Sequence, residues 1–365
     1  MSNMIERPLE LPHLTLKNRV IRSAVHSFLA GRDGYMTEAE YKMYEALAAN
    51  HIGTIITGHC CVDPRGRANI EQVNLYDDCF IPQFRRAIET AHAQDARFIV
   101  QINHAGPRAI DNDDLADVVA RPLKKERTAR ALTKAEIKDI EAHFIAAARR
   151  AQQAGADGVQ LHAAHSYLLS RFIDPTFNQR TDEYGGDIEG RFRMTEEIIR
   201  GIHEACGPDF PVLIKINIDT KHEDARGYHD DMVWLLHRVH ALGVTLVEFS
   251  GVDFINLPHD ATLYYLEEAV RLKQEVPEVP LSLVGGVRSL ADMEKVMASD
   301  IGCVSLGRSL IAEPDFVTKE LSGGGKSICL SCSRCFVLPH MHPGVRCVWA
   351  WKKIRAAQKA AKTGK

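Results

Sequence analysis

The sequence has no long apolar run. None approaches the roughly 18 residues that a membrane-crossing helix needs, so no membrane role is expected. The opening stretch, MSNMIERPLELPHL, lacks an apolar core of leader length, which leads to the expectation of a cytoplasmic protein. Charge of one sign is also missing. Lys and Arg number 45 against 48 Asp and Glu, a net of −3. That balance gives no support for a nucleic acid or a membrane surface as partner. No G-x-G-x-x-G fingerprint follows an early strand, which argues against a doubly wound dinucleotide fold.

What is present is a repeated alternation. Short β-branched runs recur at 18–25, 53–58, 97–103, 157–162, 211–217, 244–251, 280–286 and 302–307. Continuous apolar runs of that length suit buried parallel strands. Helical patterns lie between most of them. At TKAE, Thr133 and Glu136 have capping-box spacing, and Ile137, Ile140, Phe144 and Ala148 then recur on one face. Eight strands alternating with helices predict an α/β fold, a (β/α)8 TIM barrel. Residues 1–325 are assigned to the barrel and 326–365 to a cysteine-rich segment with a basic tail.

Barrels of this kind carry their chemistry at the C-terminal ends of the strands. Those ends hold His26, Gly58, His59, Gln101, His104, His162, Lys215, Gly286, Gly307 and Arg308. The two late strands end in GGVRS and GRSL. Glycine lets backbone N–H groups approach an anion, and Arg308 offers a bidentate donor. A phosphate site is one reading, of either substrate or cofactor; a pair of tight turns is the other. Residues 107–132 form a long polar connection, read as a lid or as a surface loop. Cys60 and Cys61 read as small buried hydrophobes.

Several motifs occur together: LKNRV, QINHAG, HAAHSYLLSRFIDPTFNQRTDEYGG, EGRFR and GGVR…GRSL. In this order they resemble the old yellow enzyme family of FMN-dependent ene-reductases, over roughly residues 5–345. The resemblance implies FMN at the mouth of the barrel. Ser23, Ala24, Val25 and His26 resemble the first-strand segment along the flavin. His59 resembles a second-strand backbone contact, with Gly58 equally placed for it. Gln101 resembles the glutamine at the flavin's pyrimidine edge, and Lys215 the cation beside N1 and O2. Gly286, Gly307 and Arg308 resemble the phosphate cradle. His162 and His165 resemble the pair that holds a substrate carbonyl oxygen, and Tyr167 the proton donor. His26 departs from the threonine or cysteine of many relatives. Lys215 departs from arginine, and Phe28 stands where some relatives use tyrosine.

Four cysteines cluster late in the chain: Cys329, Cys332, Cys335 and Cys347, spaced C-x2-C-x2-C-x11-C. Three thiolates on a turn and one from a returning loop suit a [4Fe-4S] cluster. Zinc is the alternative, with His340 and His342 in the intervening loop. The pattern resembles the segment after the barrel in 2,4-dienoyl-CoA reductase and trimethylamine dehydrogenase relatives. No dinucleotide fingerprint follows the cysteines, so NAD(P)H or a separate electron-transfer protein is the expected partner. The expected activity is reduction of an activated C=C bond in a small-molecule enone or enoyl thioester. A flavin-dependent amine dehydrogenase is an alternative, and a zinc-stapled barrel binding a phosphorylated ligand without redox chemistry is another. A homo-oligomer is compatible with all three.

Overall fold

In a computed structural model of the chain, residues 3–110, 112–124, 127–219, 224–252, 254–336 and 344–352 are described. Eight parallel strands form the centre: β1 Val20–Arg22, β2 Thr54–Ile56, β3 Arg97–Asn103, β4 Gly158–Ala163, β5 Val212–Asn217, β6 Leu246–Ser250, β7 Leu281–Val284 and β8 Cys303–Leu306. Each pairs with the next, and β8 pairs with β1, so the sheet closes. The short strand Cys60–Cys61 also pairs alongside the end of β3. The TIM barrel expected from the eight runs is therefore the observed fold, with strand ends within three residues of the ends of the runs.

Helices α1 Glu38–Ala48, α2 Ile81–His92, α3 Lys134–Ala154, α4 Ile188–Cys206, α5 Ala225–Ala241, α6 Leu266–Glu275 and α7 Leu290–Met297 wrap the sheet. The helix α3 starts where the capping box stands. The Thr133 hydroxyl accepts from the Glu136 N–H, and the Glu136 carboxylate accepts from the Thr133 N–H at 2.8 Å. Ile137, Ile140, Phe144 and Ala148 face the sheet and are buried. Gly155 ends the helix at φ 94°, a left-handed turn suited to glycine.

Inside the barrel the side-chain period of two sorts residues into layers. The lower layer is apolar: Ile21, Ile56, Ile99, Leu213, Leu246 and Cys303 pack with Leu14 and Leu16. The last two come from an N-terminal hairpin, Leu9–Leu11 paired with Leu14–Leu16. The hairpin thus plugs the end of the barrel opposite the strand C-termini. The layer above it is polar.

The connection 107–132 is not a featureless loop. Ala116–Asp117, Arg121–Pro122 and Thr128–Ala131 form a small sheet. The Arg171 guanidinium fastens it from the barrel, donating Nε–H to Asp117 Oδ1 at 2.7 Å.

The plug makes a stability prediction. Leu16 is fully buried, so Leu16→Ala removes packing and leaves a cavity, at a cost of about 2–5 kcal/mol. Denaturant unfolding should show that loss, and a change below about 0.5 kcal/mol would mean that the hairpin does not seal the barrel.

Candidate functional site

The polar layer is a chain of buried hydrogen bonds. Gln101 Nε2 donates to Gln160 Oε1 at 2.7 Å, and Gln160 Nε2 donates to Glu248 Oε2 at 2.9 Å. Lys215 Nζ stands 3.5 Å from the same Glu248 oxygen and donates to Ser23 Oγ at 2.8 Å. A carboxylate only accepts, so Gln160 must present its nitrogen to Glu248 and its oxygen to Gln101. Gln101 is thereby oriented too, and the group it has left to offer the cavity is an acceptor, Oε1. Lys215 is 2% exposed. Burial pulls its pKa down, and Glu248 pulls it back up.

Above this floor opens a cavity of about 810 Å³ at the strand C-termini. Ser23, Ala24, Val25, His26, His59, Gln101, His162, His165, Tyr167, Lys215, Gly286, Gly307 and Arg308 all line it. The residues singled out from strand ends scattered along the sequence meet on one surface. Two are exceptions: His104, whose Nε2 lies 3.8 Å from Asp63, and Gly58. Gly58 sits beneath the wall, where an added Cβ would stand 3.0 Å from the Val25 carbonyl; its neighbour His59 is the one on the cavity.

On one wall three rings from the end of β4 and the loop after it converge. The His162 and His165 rings lie 5.1 Å apart and nearly perpendicular, and Tyr167 lies 4.9 Å from His162. His165 and Ser166 both adopt φ 59°, an uncommon left-handed pair for residues with side chains. The turn is held from outside: the His165 N–H donates to Asn217 Oδ1 at 3.1 Å, and the Arg108 guanidinium donates to the His165 carbonyl at 2.7 Å. Ser250 Oγ lies 2.8 Å from His165 Nε2. His162 is 3% exposed, and its Nδ1 is buried without a hydrogen bond. Burial lowers the pKa of both imidazoles well below 6.5, with Lys215 and Arg108 adding to the effect. They are neutral N–H donors at neutral pH.

Beyond His59, with the two ring centroids 4.9 Å apart, stands His26. Its Nε2 lies 2.9 Å from Asn69 Oδ1, which also accepts the Glu71 N–H. The Asn69 oxygen is thus an acceptor, and His26 carries its proton on Nε2. Burial lowers the His26 pKa to about 4.

At the far end the two glycine turns form a cradle. Gly286 has φ 73°, and a Cβ there would meet the Leu263 nitrogen at 2.8 Å. A Cβ at Gly307 would find only Val25, at 3.7 Å. Arg308 does not stand free in the cradle. It donates to the Ser331 carbonyl at 3.2 Å, to Ser333 Oγ at 3.0 Å and to Tyr264 Oη at 3.1 Å.

Those serines belong to the cysteine segment. Cys329, Cys332, Cys335 and Cys347 line one small pocket together with Arg308 and Ile311. All four are free thiols. Among the described residues, no three His, Cys, Asp or Glu side chains come together as a single-ion site. His340, His342 and the tail from residue 353 lie outside the described residues. Cys60 and Cys61 are fully buried, and burial raises the Cys61 thiol to about 12.

Several lining residues carry no sequence signal of their own. Phe254, Tyr265 and Phe336 bring apolar surface to the cavity, and Arg108 and Lys124 bring charge. They come from irregular loops, where no periodicity marks a facing direction. Gln72 lies behind the wall and is legible only through its contacts with His59.

A sequence model described as the NADH:flavin oxidoreductase / NADH oxidase family matches residues 5–324. An NADH oxidase of Thermoanaerobacter brockii is 32% identical over 337 residues, which is 88% of this chain and 51% of that protein. An NADPH dehydrogenase of Bacillus cytotoxicus is 27% identical over 319 residues, covering 87% of this chain and 91% of that protein. Among solved structures, a 2-naphthoyl-CoA reductase in complex with 2-naphthoyl-CoA superposes with a TM-score of 0.81 at 22% identity, over 88% of this chain and 52% of that one. The chain thus spans about half the length of the first of these relatives. Among the described residues no helix is long and apolar enough to cross a membrane.

His26 makes a pH prediction. With a reference pKa of 6.5 and about 4 in the fold, the unfolded chain binds the proton more readily throughout that window. Stability therefore rises with pH, and about 3 kcal/mol is lost as pH falls from 6.5 to 4. His26→Gln should remove that share and flatten the curve of unfolding free energy against pH. An unaltered curve would refute the assignment.

Proposed function

The chain belongs to the NADH:flavin oxidoreductase / NADH oxidase family, and from that premise we propose that it reduces an activated C=C bond, in an enone or enoyl thioester, using bound FMN. The observation that carries the proposal is the convergence of His162, His165 and Tyr167 with Gln101 and Lys215 on one cavity. The residues fit the cofactor. Gln101 offers an acceptor of the kind a pyrimidine N–H requires, Lys215 offers a buried cation, and the Gly286–Gly307 cradle leaves room for close backbone approach. A cavity of this size lies in the usual range for cofactor sites.

Bound FMN supplies the hydride, replenished from NADH or NADPH or through an electron-transfer protein. The chain supplies the rest. His162 and His165 donate neutral N–H groups to the substrate carbonyl oxygen, which draws electron density from the alkene. Being neutral, they bind the oxygen without giving it a proton. Burial raises the Tyr167 pKa, so its hydroxyl keeps its proton until the substrate's α carbon needs one. Phe28, Phe254 and Phe336 bring apolar faces to the same cavity. Among the described lining residues are Arg108, Lys124, Lys215, Arg288 and Arg308 but no carboxylate. That field favours an electron-rich or anionic substrate over the ammonium form of an amine, which speaks against an amine dehydrogenase.

Residues 1–325 make up the barrel in this reading, and the four cysteines of the following segment hold a [4Fe-4S] cluster. Their fit rests on donor number: four thiols line one pocket, the number of thiolates such a cluster takes.

Two outcomes test the proposal. His162→Ala should keep bound flavin but lower turnover of 2-cyclohexen-1-one by about 100-fold or more, the usual effect of deleting a donor to a developing oxyanion. Full turnover would remove His162 from the mechanism. Cys332→Ser, purified without oxygen, should lose iron and acid-labile sulfide together; retention of both would exclude Cys332 as a ligand.

A further inference from the structure

His59 lines the cavity, but its ring is engaged in a way that the proposed reaction leaves unexplained. Its Nδ1 lies 2.8 Å from Gln72 Nε2, and its Nε2 lies 3.2 Å from Tyr167 Oη. The direction of both bonds is fixed by groups that cannot reverse. The Ala68 N–H donates to Gln72 Oε1 at 2.6 Å, so that atom is the amide oxygen. Gln72 Nε2 donates to the His59 carbonyl at 3.1 Å, so that atom is the NH2. An NH2 group brings only hydrogens to its neighbour. Nδ1 of His59 must therefore accept, and in the neutral ring the proton sits on Nε2. That N–H points at the Tyr167 oxygen. Burial keeps the ring neutral, reinforced by His26, Arg108 and His165.

We infer that Gln72 locks His59 in its Nε2–H tautomer, making His59 a positioning residue that keeps the Tyr167 proton turned toward the cavity. A phenol has a single hydrogen. Since the oxygen accepts from His59, its own hydrogen is released from that partner and faces the space that Tyr167 lines. The reverse tautomer would capture it, because an unprotonated Nε2 would accept the Tyr167 O–H and hold it against the wall. The arrangement also serves the step that follows. When the Tyr167 O–H bond breaks and a C–H bond forms at the substrate's α carbon, the electron pair stays on the phenolate oxygen. His59 Nε2–H already points at that oxygen, and the Arg108 guanidinium stands 4.8 Å over the ring. The phenolate then regains a proton from water. The inference rests on the proposed role of Tyr167 as proton donor.

The test separates this inference from the reading beneath it. In a long-range ¹H–¹⁵N spectrum of the holoenzyme, the His59 ring should show the neutral Nε2–H pattern; an Nδ1–H tautomer or an imidazolium overturns the lock. For kinetics the probe is 1-nitrocyclohexene with dithionite-reduced holoenzyme. Hydride addition yields a nitronate whose ultraviolet absorbance decays on protonation, so the two steps are read apart. Gln72→Glu replaces the NH2 with an acceptor, draws the proton to Nδ1 and turns Nε2 toward the Tyr167 hydrogen. Flavin reoxidation should change less than about twofold, while nitronate decay slows about 100-fold, the scale of general-acid catalysis. In a Tyr167→Phe background the same substitution should leave nitronate decay unchanged. Equal slowing of both steps, or equal slowing in both backgrounds, overturns the inference in favour of a merely structural role. Wild-type enzyme that never reoxidises with the nitroalkene would sink the proposed function instead, and the tautomer spectrum would still decide the lock.

Discussion

A buried ammonium group must be answered, and the inside of this barrel is arranged around that requirement. Lys215 projects inward from β5, where an isolated charge would cost several kcal/mol. Glu248 from β6 and Ser23 from the end of β1 meet it. Glu248 in turn fixes Gln160, and Gln160 fixes Gln101. Removing either charge leaves the other stranded, so these residues stand or fall together. They also decide what the cavity floor presents: one cation, and one amide oxygen whose orientation is dictated two residues away. The floor is polar by necessity, and that same necessity makes it suited to a flat polar heterocycle.

Neutrality plays the complementary part on the walls. Burial strips away water, and Lys215 and Arg108 fill the region with positive potential. Under both influences the histidines stay uncharged. A neutral imidazole has one donor and one acceptor, so its tautomer becomes a structural variable. Asn69 sets it for His26, and Gln72 sets it for His59. A cluster of neutral rings, two of them with fixed tautomers, is a different chemical object from a cluster of imidazolium ions. In the proposed reaction it would polarise a carbonyl without protonating it and leave proton delivery to Tyr167.

The barrel was legible because its strands obey a strong rule. Runs such as PVLIKIN and RFIVQIN need burial on both faces, and only a closed parallel sheet with helices outside provides it for eight of them. The strand ends were legible for a related reason: His162, Lys215 and Gln101 are costly in a core, so their presence there asks for a function. The loop residues were not. Phe254, Phe336 and Gln72 are placed by turns whose geometry leaves no periodic trace, and an isolated glutamine in EQVN says nothing about the imidazole it faces. The small sheet in the connection 107–132 was not legible for the same reason: its strands have two to four residues, too short to mark in sequence.

Arg308 joins the two halves of the chain's chemistry. It lines the large cavity and the cysteine pocket at once, as does Cys329. Its guanidinium is held by Ser331 and Ser333, which alternate with the cysteines and both adopt left-handed φ, 52° and 53°. Those two turns point successive cysteine side chains to one side while the serine groups between them reach back to the arginine. A residue that resembles a phosphate ligand in sequence is thus also the anchor of the cysteine loop. Anything that neutralises or displaces Arg308 acts on both pockets together. The cysteine segment is built into the wall of the cavity, with Arg308 and Cys329 facing both pockets.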